Sequence, residues 1–292
     1  MISPYPSRGY VLLMVLVVLA VAGSFLGLSA RRTGQKILDA GIGERDLQRR
    51  WAQRTLEAGC LPRAEAILRR HKPEDGPVPP SVWTTLDLGD VAFDVVVSDE
   101  QAKVNVNRLA AERDGRALVR ASITRLSDGR WPLQILLRPV VQETGAIRSP
   151  PLRYASLEQV FASASPTDLL GDEAARRGPS ERVTCWGNGR VHVRRADRTV
   201  LREALGAALS EHQLARLIAL REEMPEAGLE TLLTELELEE DVQAAVRDRL
   251  TEVSACHSLW LVVRGRTRRW YRLAVDQGGD AANDAGRWTF VW

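Results

Sequence analysis

The residues of this chain able to do chemistry are four histidines, three cysteines and scattered carboxylates. His71, His192, His212 and His257 have no ligand-like spacing with one another or with Cys60, Cys185 and Cys256, so no zinc set is spelled out. No Ser/His/Asp or Cys/His order with a nucleophile elbow occurs, because Cys185 leads into Trp186-Gly187 without a preceding Gly-x. Asp99 and Glu100 would make an acid–base pair if they shared a proton. Neighbouring strand residues point to opposite faces, which assigns the two a structural role. Gly187-Asn188-Gly189 lacks the further glycine or Gly-Lys-Ser ending of a phosphate cradle and reads as a turn, and Arg264-Gly265-Arg266 reads as a hairpin tip. Calcium takes six to eight oxygens, and the chain has no D-x-D-x-D-G loop. In an oxidising compartment one disulfide is allowed. Cys185 with Cys256 is the better pair, since both sit at entries to predicted strands, leaving Cys60 odd; no pairing at all is equally allowed. The chain reads as a non-enzyme with no catalytic residue, cofactor or metal.

Composition bounds the remaining classes. The 292 residues carry 40 Lys+Arg against 38 Asp+Glu, 45% hydrophobic and 5% aromatic residues, 22 Gly and 14 Pro. This balance allows about two domains with real cores and excludes collagen-like, coiled-coil, disulfide-scaffold and wholly disordered chains. The basic residues lie beside acids throughout, without the clustering of a nucleic-acid footprint.

The elements that would position these residues begin with an uncharged run from Tyr10 to Ala30. As a helix it just crosses a bilayer core of about 30 Å. A cleaved signal with Ala20-Val21-Ala22 as its site is the alternative. Arg8 precedes the run and Arg31, Arg32 and Lys36 follow it, a distribution that by charge alone favours a cytoplasmic bulk. Gly23 and Gly27 form a G-x-x-x-G spacing that admits a close helix neighbour.

Residues 44–71 predict an amphipathic continuation, weakened at Gly41 and Gly43 and bent at Gly59 and Pro62, before the extended connector PEDGPVPP at 73–80. VAFDVVV from Val91, a polar turn at Ser98-Asp99-Glu100 and Lys103–Asn107 read as a hairpin. Helix is expected around 113–127, then the apolar run WPLQILLRPVV at 131–141, then a helix opened by a Ser156–Gln159 capping box. Residues 197–251 predict four helices, with Ser210 starting the second. SLWLVVRGR, TRRWYRLAVDQ and RWTFVW read as closing antiparallel strands.

Three of these segments, in this order, carry a family resemblance. The short basic leader ending in Gly9, followed by aromatic Tyr10 and an uninterrupted apolar helix, resembles a type IV prepilin signal. The resemblance implies cleavage after Gly9 by a prepilin peptidase and N-methylation of Tyr10. Met14 stands where most pilins carry Glu, a departure shared with the minor pseudopilin K of type II secretion systems. DEQAKVNVN resembles the D-E-x-x-K-x-N-x-N signature of that branch at Asp99, Glu100, Lys103, Asn105 and Asn107. CWGNG resembles its W-G-x-G turn at Trp186, Gly187 and Gly189, although the Asn residues of the strand that follows are replaced. The acidic D-W-x-D-x-D run of the family is missing, which shortens the first inserted domain and removes support for a calcium site.

The resemblance implies an α+β chain: an N-terminal transmembrane pilin-type helix, an antiparallel pilin-like sheet and inserted SAM-like or helix-hairpin-helix-like helical domains. Its order would be a prepilin leader (1–9), the transmembrane and amphipathic helix (10–71), pilin-like strands (72–107), a shortened inserted helical region (108–182), a strand (183–196), a second SAM-like helical domain (197–251) and C-terminal strands (252–292). It further implies a tip subunit of the periplasmic pseudopilus, involved in protein export. That subunit would be a single-pass inner-membrane protein with its soluble part in the periplasm, with the I and J pseudopilins and the peptidase as partners and no nucleic acid. The alternatives are a membrane-anchored helix-hairpin-helix protein binding nucleic acid, a minor pilin of a type IV pilus, and a signal-anchored enzyme. Against the first stand the many acids of 197–251, which repel phosphate.

Overall fold

The computed structural model describes residues 8–292 apart from 75, 90, 132–133, 139–152, 172–177, 207, 265–268 and 278–285. The expected leader up to Ser7, residues 132–133 and 139–141 of the WPLQILLRPVV run and the Arg264-Gly265-Arg266 tip beyond Arg264 lie outside the described residues. The chain divides into two compact units, the first ending at Gln53 and the second running from Arg54 to Trp292.

The first unit is the greater part of α1 (Arg8–Cys60), which runs unbroken through Gly34, Gly41 and Gly43 instead of weakening there. Tyr10 to Ala30 is exposed throughout, and the most apolar 18-residue stretch has a mean hydropathy of 2.8. By length and composition this helix can cross a membrane.

The second unit opens where α1 ends. Pro62 has no N–H to donate and sits in a 3-10 turn, Leu61–Arg63, that redirects the chain into α2 (Ala64–Arg70). Two long strands follow, β1 (Ser81–Leu88) and β2 (Val91–Asp99). A 3-10 turn at Glu100–Ala102 leads to the two-residue β3 (Val104–Asn105), then α3 (Val106–Ala110) and α4 (Gly115–Ser127). The short β4 (Gln134–Ile135), α5 (Leu157–Val160), β5 (Phe161–Ala162) and α6 (Pro166–Leu170) complete the first inserted region. After β6 (Val183–Thr184) and β7 (Val191–His192) come the four helices of the second: α7 (Arg198–Leu205), α8 (Glu211–Glu223), α9 (Leu229–Glu235) and α10 (Glu240–Arg249). The chain closes with β8 (Leu250–Thr251), β9 (Cys256–Arg264), β10 (Arg269–Gln277) and β11 (Gly286–Val291).

The principal sheet is antiparallel in the order β1-β2-β9-β10-β11, so the first two long strands pair with the last three across the helical insertions. Its register aligns Trp83, Val96, Trp260, Leu273 and Phe290 in one row across all five strands. That row belongs to the main core with the inserted helices. On β2 and β9 the alternate residues Phe93, Val95, Val97, Leu259 and Leu261 are buried as well, and α2 lies against these two strands. Burial on both faces explains why VAFDVVV and SLWLVV are nearly continuous apolar runs. Arg272 of β10 holds Glu57 at 2.9 and 2.5 Å, fixing the last turn of α1 to the sheet.

Two expectations are corrected. The hairpin does not form: β2 pairs with β1 and β9, while Val104–Asn105 leaves the sheet and pairs in parallel with Val183–Thr184. The side chains of the turn impose this. Asp99 accepts from the Gln101 N–H at 2.8 Å, and Asn105 accepts from the N–H groups of Asn107 and Arg108 at 2.8 and 3.1 Å, which starts α3 where a strand would have continued. Nor does Ser156 cap α5; Gln159 accepts instead from the Ala155 N–H at 2.6 Å, so the reciprocal box is not made. At α8 Ser210 starts the helix as expected, and there a reciprocal box does form, between Ser210 and Gln213.

The second helical region rests on leucines at three- and four-residue spacing, among them Leu201, Leu205, Leu214, Leu217, Leu232 and Leu233. Two arginines lock it to the strand before it. Arg194 donates to the carbonyls of Arg221, Met224 and Ala227 at the end of α8, and Arg221 donates back to Val193 and Ala196. Orphan carbonyls at a helix C-terminus are thereby satisfied by a cation, where the helix dipole favours one. Burial lowers the pKa of both guanidinium groups.

Candidate functional site

Two features stand apart: the bare apolar helix and a buried polar junction in the second unit. The junction gathers the residues of the two internal motifs, DEQAKVNVN and CWGNG. Asp99 and Glu100 are fully buried and serve different cations. Asp99 Oδ2 accepts from Arg195 Nη1 at 2.9 Å, and its Oδ1 accepts from Ser254 as well as from the Gln101 N–H. Glu100 Oε1 accepts from Lys103 Nζ at 2.5 Å and from the Ser258 hydroxyl. The two carboxylates have none of these partners in common; Glu100 stands in the 3-10 turn after β2, so the turn and not strand alternation separates them.

The asparagines bind the W-G-x-G turn. Asn105 Nδ2 donates to the Trp186 carbonyl at 2.7 Å. Asn107 Nδ2 donates to the carbonyls of Cys185 at 2.7 Å and Tyr154 at 2.9 Å, while its Oδ1 accepts from the Tyr154 N–H. Gln101 Nε2 donates to Asn188 Oδ1 at 2.8 Å. Gly187 and Gly189 hold φ of +87° and +81°, the left-handed region that favours glycine. A Cβ on Gly189 would stand 3.0 Å from the Arg108 side chain, so the close approach needs the glycine too.

Arg195 is the hub, and sequence reading missed it. It reaches Asp99 and, at 2.6 and 2.8 Å, both carboxylate oxygens of Glu65 on α2, which also accepts from Arg69 at 2.6 Å. His257 Nε2 lies 3.3 Å from Glu65. Burial acts to raise the Glu65 pKa, but the hydrogen bonds from Arg195 and Arg69 outweigh it and hold the carboxyl down at about 2. The one signal available in the sequence was a charged residue closing the alternating VHVRRA stretch.

Beside the hub, His192 is buried, and its Nδ1 accepts from the Arg194 N–H at 3.2 Å. Desolvation pushes its pKa down to about 4, with Asp99 offsetting only part of that. The unfolded histidine takes a proton near pH 6.5, the folded one only near 4, so stability is lost as pH falls through this window. Glu65, lowered from the ordinary 4.5 to about 2, adds a loss in the same direction below pH 4.5. Acidification from pH 7 to 4 is expected to cost about 3 kcal/mol through His192. Thermal melts across that range check it, and His192→Gln should flatten the part above pH 4.5.

Chemically the junction is neutralised. Its carboxylates are committed to cations, and among the described residues no three His, Cys, Asp or Glu side chains converge as metal ligands. Cys60, Cys185 and Cys256 are all free thiols, and no bond joins the expected pair Cys185 and Cys256. Burial, reinforced by the charge of Glu100, raises both of their pKa values and withholds the thiolate that disulfide exchange requires.

Of the remaining sequence-predicted residues, Gly9 and Tyr10 lie in the first turns of α1, with Tyr10 and Met14 exposed. No residue contact within the chain covers a Cβ position at Gly23 or Gly27.

No protein-family model matches the chain, nor does any curated protein. Among solved structures it is similar to a chain of the GspK-GspI-GspJ complex from the Type 2 Secretion System of enterotoxigenic Escherichia coli. The identity is 14%, the alignment covers 87% of this chain and 99% of that one, and the TM-score is 0.50. This chain has a pseudopilin fold. At that identity the likeness is one of fold alone, which in this chain is an antiparallel sheet with helices inserted between its strands. The buried junction is what closes the insertions back onto that pseudopilin sheet.

Proposed function

We propose that the chain is a minor pseudopilin of the K type, seated at the tip of a type II secretion pseudopilus and taking part in protein export. The observation that carries this reading is the union of a bare membrane-length helix with a pseudopilin head enlarged by two helical insertions. The apolar helix anchors the chain in the inner membrane and packs with the helices of the I and J pseudopilins; the soluble head lies in the periplasm. Met14, in place of the pilin Glu, suits a subunit that docks under no other, and the bulky head restricts it to the end of the filament. The reading calls for no catalysis, since the work is packing and extraction of helices from the bilayer.

Its test is the mature N-terminus. The full chain is expressed with and without a prepilin peptidase and its terminus read by mass spectrometry. The expected product begins at N-methylated Tyr10 after cleavage at Gly9. An intact Met1 in the presence of peptidase, or cleavage after Ala22, overturns the assignment.

A further inference from the structure

Directly after the apolar run stand Arg31, Arg32 and Lys36, all exposed on α1. None has a hydrogen bond or ion pair within the described chain, although Asp39 lies one turn beyond Lys36; the first ion pair of the helix is Arg49 with Asp46. Their spacing matches a membrane surface. The run from Tyr10 to Ala30 rises about 31 Å, the thickness of a bilayer core, and Arg31 to Lys36 rises about 7 Å more, the depth of one headgroup layer.

These charges also pose a difficulty that the proposed orientation, on which this inference rests, makes explicit. Basic residues beside a membrane helix favour the cytoplasmic side, whereas here they lie on the side of the head. Three cations held at phosphate depth need anions, and among the described residues none makes an ion pair with them. We infer that Arg31, Arg32 and Lys36 bind the phosphates of anionic phospholipids in the leaflet nearest the head, so that an acidic-lipid shell sets the depth of the helix and resists its withdrawal. Arginine offers bidentate donors to phosphate, and a surface Lys or Arg strengthens attachment to acidic lipid by about fivefold each.

The test uses the full, uncleaved chain in phosphatidylcholine vesicles doped with spin-labelled phosphatidylglycerol or spin-labelled phosphatidylcholine. Electron spin resonance reads the preference of the protein's lipid shell. The expected result is a several-fold enrichment of phosphatidylglycerol, abolished by the triple change Arg31→Gln, Arg32→Gln, Lys36→Gln and by high salt, and retained in Arg8→Gln. Equal association of the two lipids, an unchanged preference in the triple variant, or a preference lost with Arg8→Gln would overturn the inference. Failure of the underlying reading looks different: with prepilin peptidase present the mature chain would not begin at Tyr10, whatever lipid the uncleaved chain prefers. The three residues are solvent-exposed, so an unchanged melting curve of the head verifies that the variant is folded.

Discussion

Replacing Arg195 by Met is expected to destabilise the head by about 3–5 kcal/mol, because it strands a buried charge. The Arg195 side chain is 3% exposed and Asp99 is fully buried, so the carboxylate would lose its only cation while staying out of water. The same change releases Glu65, and with it the tie between α2, the end of β2 and the entry to the second helical region. For a unit of this size the loss corresponds to a fall in Tm on the order of 10 °C. Circular dichroism melts of the full chain in detergent measure it. Arg195→Met combined with Asp99→Asn should recover much of the loss, since the penalty belongs to the unpaired charge more than to the missing bond. Glu65→Gln alone should cost less, because Glu65 is partly solvated. A single-variant effect under about 1 kcal/mol would show that Arg195 is not the hub.

Lys103→Met is expected to cost a similar amount by a second route. Lys103 and Glu100 are 2% and 1% exposed, and Glu100 Oε2 has no hydrogen-bond partner of its own. Without Lys103, only the Ser258 hydroxyl would face the carboxylate. The expected loss is about 3–5 kcal/mol for the single change, and most of it should return in Lys103→Met with Glu100→Gln, where no charge remains to be buried. A double-mutant cycle by urea unfolding should therefore give a coupling of at least about 2 kcal/mol. Additive single effects would mean that the pair is not what holds the turn at Glu100–Ala102. Together the two cycles separate the junction into its Arg195 half and its Lys103 half, which share no atom.

Much of this architecture was legible in the order of residues alone. The uncharged run from Tyr10 to Ala30, the restart at Pro62, the leucine spacing of 197–251 and the helix start at Ser210 are local signals, and each depends on neighbours within about four positions. The strands were legible for the same reason, since Val, Leu and Trp in β2 and β9 favour extended chain wherever they end up. Pairing was not. Lys103–Asn107 looks like the return strand of a hairpin, but its asparagines gain more by capping α3 and by binding carbonyls of Trp186 and Cys185 about 80 positions away. Which of two local structures wins there depends on partners that only the tertiary fold supplies.

The junction shows the same division. The sequence by itself determined that Gly187 and Gly189 mark a turn and that a helix of membrane length runs through Tyr10 to Ala30. Only the tertiary structure decided that Glu65, Asp99 and Arg195 meet. A buried carboxylate must find a cation, and sequence states that need without naming the cation, because the partner is chosen by the fold that brings α2, the end of β2 and the segment after β7 to one point.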